Sequence, residues 1–266
     1  MLSMVAKEAG CAPEELIDVD LYVYDHQPAA LGGVYEEFIS SQRLDNLVGT
    51  FSVIRALIES VSEQHGVAEL SADPNIRFVA CYDNEECGSE SAQGAKTHFT
   101  EWVLRRLCAC GGGGGESVAS RNGTEFEEAI GKSFMISADQ AHASHPNYKE
   151  KHEDQHRPRF HGGVVVKVNT NQRYATTSRT HAILKQIAHL AECPLQKFVV
   201  RNDMPCGSTV GPFLSSNLGV QTIDVGCAML AMHSIREFTC TSSIAQAVSL
   251  FTAFYKHLPA VLGSLQ

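Results

Sequence analysis

Residues 77–95 read RFVACYDNEECGSESAQGA, and their order decides the fold class. Phe78, Val79, Ala80, Cys81 and Tyr82 read as a short buried strand. Asp83-Asn84-Glu85-Glu86 then breaks the apolar run, and small residues from Gly88 to Ala95 lead into a helical pattern. Strand, acidic turn and helix in succession predict one unit of a layered α/β sheet. Carboxylates at a strand's end are costly to desolvate unless they are paired or bind metal. The turn is therefore either a solvated acidic loop or the lip of a site.

The flanking sequence repeats the unit. Before it, Arg43 to Ile58 opens a helix in which Leu47, Phe51, Ile54 and Ile58, with Val48 and Leu57, recur near the helical period. Asp45 at its start has the usual reading of an N-cap. After it, 91–107 reads as a helix carrying Phe99, Trp102 and Leu107. Phe134–Ser137 is a second strand ending at Asp139, and 163–169 a third, with Lys167 near its end. Residues 180–191 form a helix, 198–200 a fourth strand, 208–218 a helix, 220–225 a fifth strand and 237–258 a closing helix. His233 lies between the last two. Ligands in such sheets gather beyond the carboxyl ends of the strands, so the acids at 83–86, Asp139 and His233 are expected to converge. At the N-terminus, Leu16–Tyr24 alternates like a half-buried strand and is broken by Pro28 and Gly32-Gly33.

Composition narrows the function. The 266 residues carry a formal net charge of −9, which argues against nucleic acid as the main partner. No apolar run is long enough to span a bilayer, and the first residues lack the pattern of a signal peptide. Nine scattered cysteines without a Cys-x-x-Cys pair imply reduced thiols and a cytoplasmic location. The five glycines from Gly111 to Gly115 run into Glu116-Ser117, where a phosphate-binding loop needs Lys, so 108–123 reads as a surface insertion.

Twelve histidines invite a search for metal ligands. His152-Glu153-Asp154-Gln155-His156 fits the H-E-x-x-H pattern, which on a helix directs two histidines to one zinc. Arg157-Pro158 follows at once and no apolar face precedes it, so a polar surface or subunit-contact loop is the expectation. The richer constellation is Asp45, Glu85, Glu86, Asp139 and His233, a set able to bridge and cap two zinc ions and leave one carboxylate as base.

The segments RLDNL, YDNEECGSESAQGA, SADQAHASHPNY, VVVKVNTNQRYAT, NDMPCGSTVGP and MLAMHSIRE resemble the aspartyl aminopeptidase family of dizinc metallopeptidases, from about residue 20 to the C-terminus. The resemblance implies a three-layer α/β sandwich around a central, largely parallel mixed sheet. It implies two Zn2+ per subunit in the intact family, with Asp45 bridging them, Glu86 and His233 completing one ion and Asp139 helping to bind the other. Glu85 is implied as general base, and His142, Lys167 and Tyr174 as substrate contacts, Lys167 facing the acidic side chain. The implied reaction removes N-terminal Asp or Glu from peptides, in a homo-oligomer. The family's further ligand histidine, in a His-x-Asp motif, and most of its dimerisation domain have no counterpart here. The expectation is thus a C-terminal portion: residues 1–40 a remnant of the dimerisation domain, 41–266 the catalytic domain, with one zinc site incomplete and activity impaired. A non-catalytic binding or assembly protein on a degenerate scaffold is the alternative.

Overall fold

The computed structural model describes residues 1–62, 70–71, 73, 75–110 and 123–265. Most of the glycine-rich segment, 111–122, lies outside them. A short helix α1 (Leu2–Ala9) precedes an irregular stretch. Strands β1 (Ala30–Gly32) and β2 (Phe38–Ser41) follow, then helix α2 (Leu44–Ser60). The one-turn helix α3 (Glu85–Gly88) holds the acidic turn, and α4 (Phe99–Cys110) and α5 (Glu125–Lys132) lead to β3 (Phe134–Ala138) and β4 (Ala141–His142). The remainder alternates: β5 (Val164–Val168), α6 (Ser178–Leu190), β6 (Leu195–Val199), α7 (Val210–Leu218), β7 (Gln221–Gly226), β8 (Ala228–Leu230), β9 (Glu237–Cys240) and α8 (Thr241–Gly263).

The strands form two sheets, of order β3-β7-β5-β6 and β1-β2-β9-β8-β4. In the first, β3 runs parallel to β7 and β5 parallel to β6, whereas β5 and β7 are antiparallel. The sheet is mixed, as expected. Alternation along β7 and β5 sorts its two faces. Val164, Val166, Ile223 and Val225 join Ile183, Leu184 and Ile187 of α6 and Leu250 and Phe251 of α8 in the larger core. Each fully buried side chain of this size contributes about 1.5–3 kcal/mol relative to exposure. Val165, Lys167 and Asp224 take the other face, where Gly211 of α7 comes so close that a Cβ would lie 2.5 Å from the Asp224 carboxylate. Helices thus flank the mixed sheet on both faces.

The structure corrects several local expectations. Residues 77–82 form no strand; the segment is extended, partly buried and outside both ladders, with Cys81 exposed. Its apolar residues lie beside α8, whose Tyr255 hydroxyl donates to the Phe78 carbonyl at 3.3 Å. Leu16–Tyr24 is also irregular, and Ile17, Leu21, Tyr22, Val23 and Tyr24 are exposed. The helix expected from residue 91 starts at Phe99, because turns occupy 91–98 and the Thr97 hydroxyl accepts the Phe99 N–H. The closing helix begins at Thr241, since Glu237–Cys240 is a ladder strand between β2 and β8. Helix α2 is present, but its buried side is Leu44, Val48, Ser52, Ala56 and Ser60, and the stripe Leu47, Phe51, Ile54 and Ile58 is exposed.

Candidate metal centre

Four chain segments deliver the site. Asp45 lies in the first turn of α2 with non-helical dihedrals, and its side chain caps no helix. Its carboxylate turns inward and is only 4 % exposed. Glu85 and Glu86 open α3, behind Asn84, which has a positive φ of 61°. His233 occupies the β8–β9 connection, also at a positive φ of 67°. Asp139 follows β3 directly, its N–H donating to Val225. Its neighbour Gly226 is required there: a Cβ would stand 1.7 Å from the Asp139 carbonyl oxygen.

The folded chain brings Asp45, Glu86 and His233 together, one ligand atom from each lying within 4.8 Å of the others. His233 Nε2 is 3.3 Å from Asp45 Oδ2 and 3.2 Å from Glu86 Oε2. Donors about 2.05 Å from a tetrahedral zinc stand about 3.3 Å apart, so these separations match the edges of such a tetrahedron. Asp45 Oδ1 is buried and meets no hydrogen-bond donor among the described residues. An acceptor so placed is costly unless a cation satisfies it. The electrostatics agree: burial, then Asp139 and Glu86, pushes the Asp45 carboxyl up to about 9. The donor set fits a divalent metal.

Glu85 stands beside this group, half-buried. Burial, then Asp139 and Glu86, pushes its carboxyl up to about 7, against the opposing pull of Lys167 and His233. That value suits proton transfer at neutral pH. Lys167 is almost fully buried; its Nζ donates to the Gln140 carbonyl at 2.8 Å and stands 3.5 Å from Asp139 Oδ2. Tyr174 is buried nearby, its ring centroid 5.1 Å from the Lys167 ammonium. His142 lies at the end of β4, its ring 6.2 Å from that of Phe198.

The H-E-x-x-H segment is excluded as a metal site by its backbone. No helix spans 152–156, so the two histidines share no helical face. His152 is buried against Phe198 and points toward the His142 carbonyl, and His156 pairs with Glu153. Sequence reasoning missed Glu237 and Arg236. Arg236 is anchored to Asp25 at 2.8 Å and to the carbonyls of Gln27, Pro28 and Ser40, tying the irregular N-terminal stretch to β9. Two adjacent charged residues closing MLAMHSIRE, just after His233, are the available signal.

Comparison with known proteins places the chain in a family. The chain is 60% identical over 265 residues to an aspartyl aminopeptidase of Caenorhabditis elegans, covering 100% of this chain and 53% of that one. It superposes on the solved structure of an Ape4 and Nbr1 complex with a TM-score of 0.87 at 41% identity, covering 98% of this chain and 49% of that one. For the mApe1 dodecamer of Saccharomyces cerevisiae the TM-score is 0.80 at 30% identity, covering 99% and 56%. The chain thus spans about half the length of the relatives it matches. The model of the aminopeptidase I zinc metalloproteases (M18) matches residues 1–255, and the chain belongs to that family.

Proposed function

We propose that this chain carries the catalytic half of an aspartyl aminopeptidase, with one zinc held by Asp45, Glu86 and His233. The observation that carries this reading is the Asp45–Glu86–His233 donor triangle, together with the other oxygen of the Asp45 carboxylate, Oδ1, which is buried and has no hydrogen-bond partner among the described residues. Three protein ligands with an open fourth position are the usual arrangement of catalytic zinc. Asp139 lies beside Asp45 as a ligand toward a second ion, which needs donors from outside the described residues. Bound zinc supplies Lewis acidity at the scissile carbonyl and the attacking water.

The chain's own residues do the rest. Glu85, held near neutrality, takes a proton from the attacking water and returns it to the leaving amine. Lys167 is the partner for an acidic N-terminal side chain. An ammonium carries three donors, and Gln140 and Asp139 engage two directions. A neutral substrate leaves the third unmatched, and a site built around a buried polar partner rejects such substrates strongly. His142 and Tyr174 line the same side. Residues 1–40, anchored through Arg236, are read as the end of the family's dimerisation domain, and homo-oligomers such as the mApe1 dodecamer are the model for assembly. A cytoplasmic location fits the nine unpaired cysteines.

The test combines metal content with turnover. The chain should retain about one zinc, lose it in Asp45→Asn, and release N-terminal Asp or Glu slowly but in preference to Ala. Glu85→Gln should cut turnover about 100-fold or more while keeping the metal. Absence of stoichiometric zinc would favour the non-catalytic alternative, and turnover indifferent to Glu85→Gln would remove that residue's assigned role.

A further inference from the structure

The geometry points to Glu237 as a positioning residue that sets the spacing between Asp45 and His233. Glu237 is the first residue of β9 and is 2 % exposed. Its carboxylate is divided between two backbones. Oε1 accepts the His233 N–H at 2.6 Å, and Oε2 accepts the Asp45 N–H at 2.8 Å. The second bond joins residues 192 positions apart. One side chain therefore clamps the main chain of two of the three metal-facing residues, from opposite ends of the described catalytic region.

The clamp has work to do at both ends. His233 sits in the left-handed region, which a non-glycine residue adopts at a cost unless its surroundings hold it. Asp45 has left the helical conformation, so its N–H is not fixed by the α2 ladder. Hydrogen bonds to an ionised carboxylate are stronger than neutral ones, and a carboxylate offers acceptors on both oxygens. Glutamine keeps one acceptor and puts an NH2 where the other was, so one of the two N–H groups meets a donor. Its amide is isosteric, which confines the change to this clamp. Groups that orient metal ligands in this way typically matter about 10- to 100-fold in affinity. Glu237 touches no reacting atom, so its effect passes through the ligands.

The inference rests on Asp45 and His233 being zinc ligands, and the test separates the two ideas. Zinc affinity of the 266-residue chain would be measured by competition with a chromophoric chelator, alongside the melting temperature of the metal-free protein. His233→Ala locates the ion: zinc affinity unchanged in that variant overturns the site and the clamp together. With the site located, Glu237→Gln should weaken zinc about 10- to 100-fold. The matched control is Thr239→Val, on the same strand, which loses one buried hydrogen bond, from Thr239 Oγ1 to the Ala228 carbonyl at 2.8 Å. It should lower the melting temperature and leave zinc affinity unchanged. Equal zinc affinity in Glu237→Gln and wild type, or equal losses in both variants, overturns the clamp alone. If Glu237→Gln does not fold, amide hydrogen exchange of the metal-free wild type decides. Both the Asp45 and His233 N–H should be protected, and exchange of either at the rate of an open loop overturns the clamp.

Discussion

Zinc binding should release close to one proton from Asp45 at neutral pH. The metal-free carboxyl is raised to about 9, by burial first and then by Asp139 and Glu86. At pH 7 such a group is about 99% protonated, so a metal that takes its oxygen must displace the proton. A gap of about two pH units implies a loss of affinity on the order of 100-fold against the fully ionised site, about 3 kcal/mol. Apparent affinity from this group should therefore rise about tenfold per unit from pH 7 to 8.5 and level off above 9. The effect on folding has the matching sign. The raised carboxyl binds a proton in the folded state that the unfolded chain, with a carboxyl near ~3.9, has already lost. Its contribution to metal-free stability is complete below that lower value and declines as pH rises toward about 9. The assay is isothermal titration of the metal-free chain with zinc in two buffers of different ionisation enthalpy, repeated at pH 7 and 8. Buffer-independent heats at pH 7, or an affinity flat across that interval, would refute the reasoning.

Two further outcomes test the packing. Ile223→Ala, at a fully buried position in the β7 core, should cost about 2–5 kcal/mol in urea unfolding; less than 1 would argue against that core. Phe51→Ser and Ile58→Ser, on the exposed stripe of α2, should each shift stability by about 0.5 kcal/mol or less, and a core-sized loss would show that face to be covered in solution.

That stripe also marks the boundary between sequence and structure. The 3.6-residue spacing of Leu47, Phe51, Ile54 and Ile58 correctly predicts a helix, because those residues share a face in any helical conformation. Periodicity cannot say which face meets the sheet. The smaller residues Val48, Ser52 and Ala56 won that contact because they let α2 lie against α8. Likewise, the apolar letters of 77–82 predict a strand, but a strand needs a partner ladder, and none is offered there among the described residues. The sequence around Glu237 predicts a helix start, because a buried acid leaves no local trace of a bond made 192 positions away.

The sequence alone yielded the succession β3, β5, α6, β6, α7, β7 and a closing helix, the mixed α/β class, and the residue types of the candidate metal centre. Glu85 and Glu86 open a one-turn helix, Asp139 follows a strand and His233 lies in a connection, where a site-building residue is least confounded with core packing. The tertiary structure decided which of them share a tetrahedron-sized space. Asp45, Glu86 and His233 converge there, and Asp139 stays close to Lys167. The physical reason is that ligand distances depend on turns with positive φ at Asn84 and His233, on the close approach at Gly226 and on the Glu237 clamp. The Gly226 approach and the Glu237–Asp45 bond join segments far apart in the chain, and none of these features has a period that sequence can display.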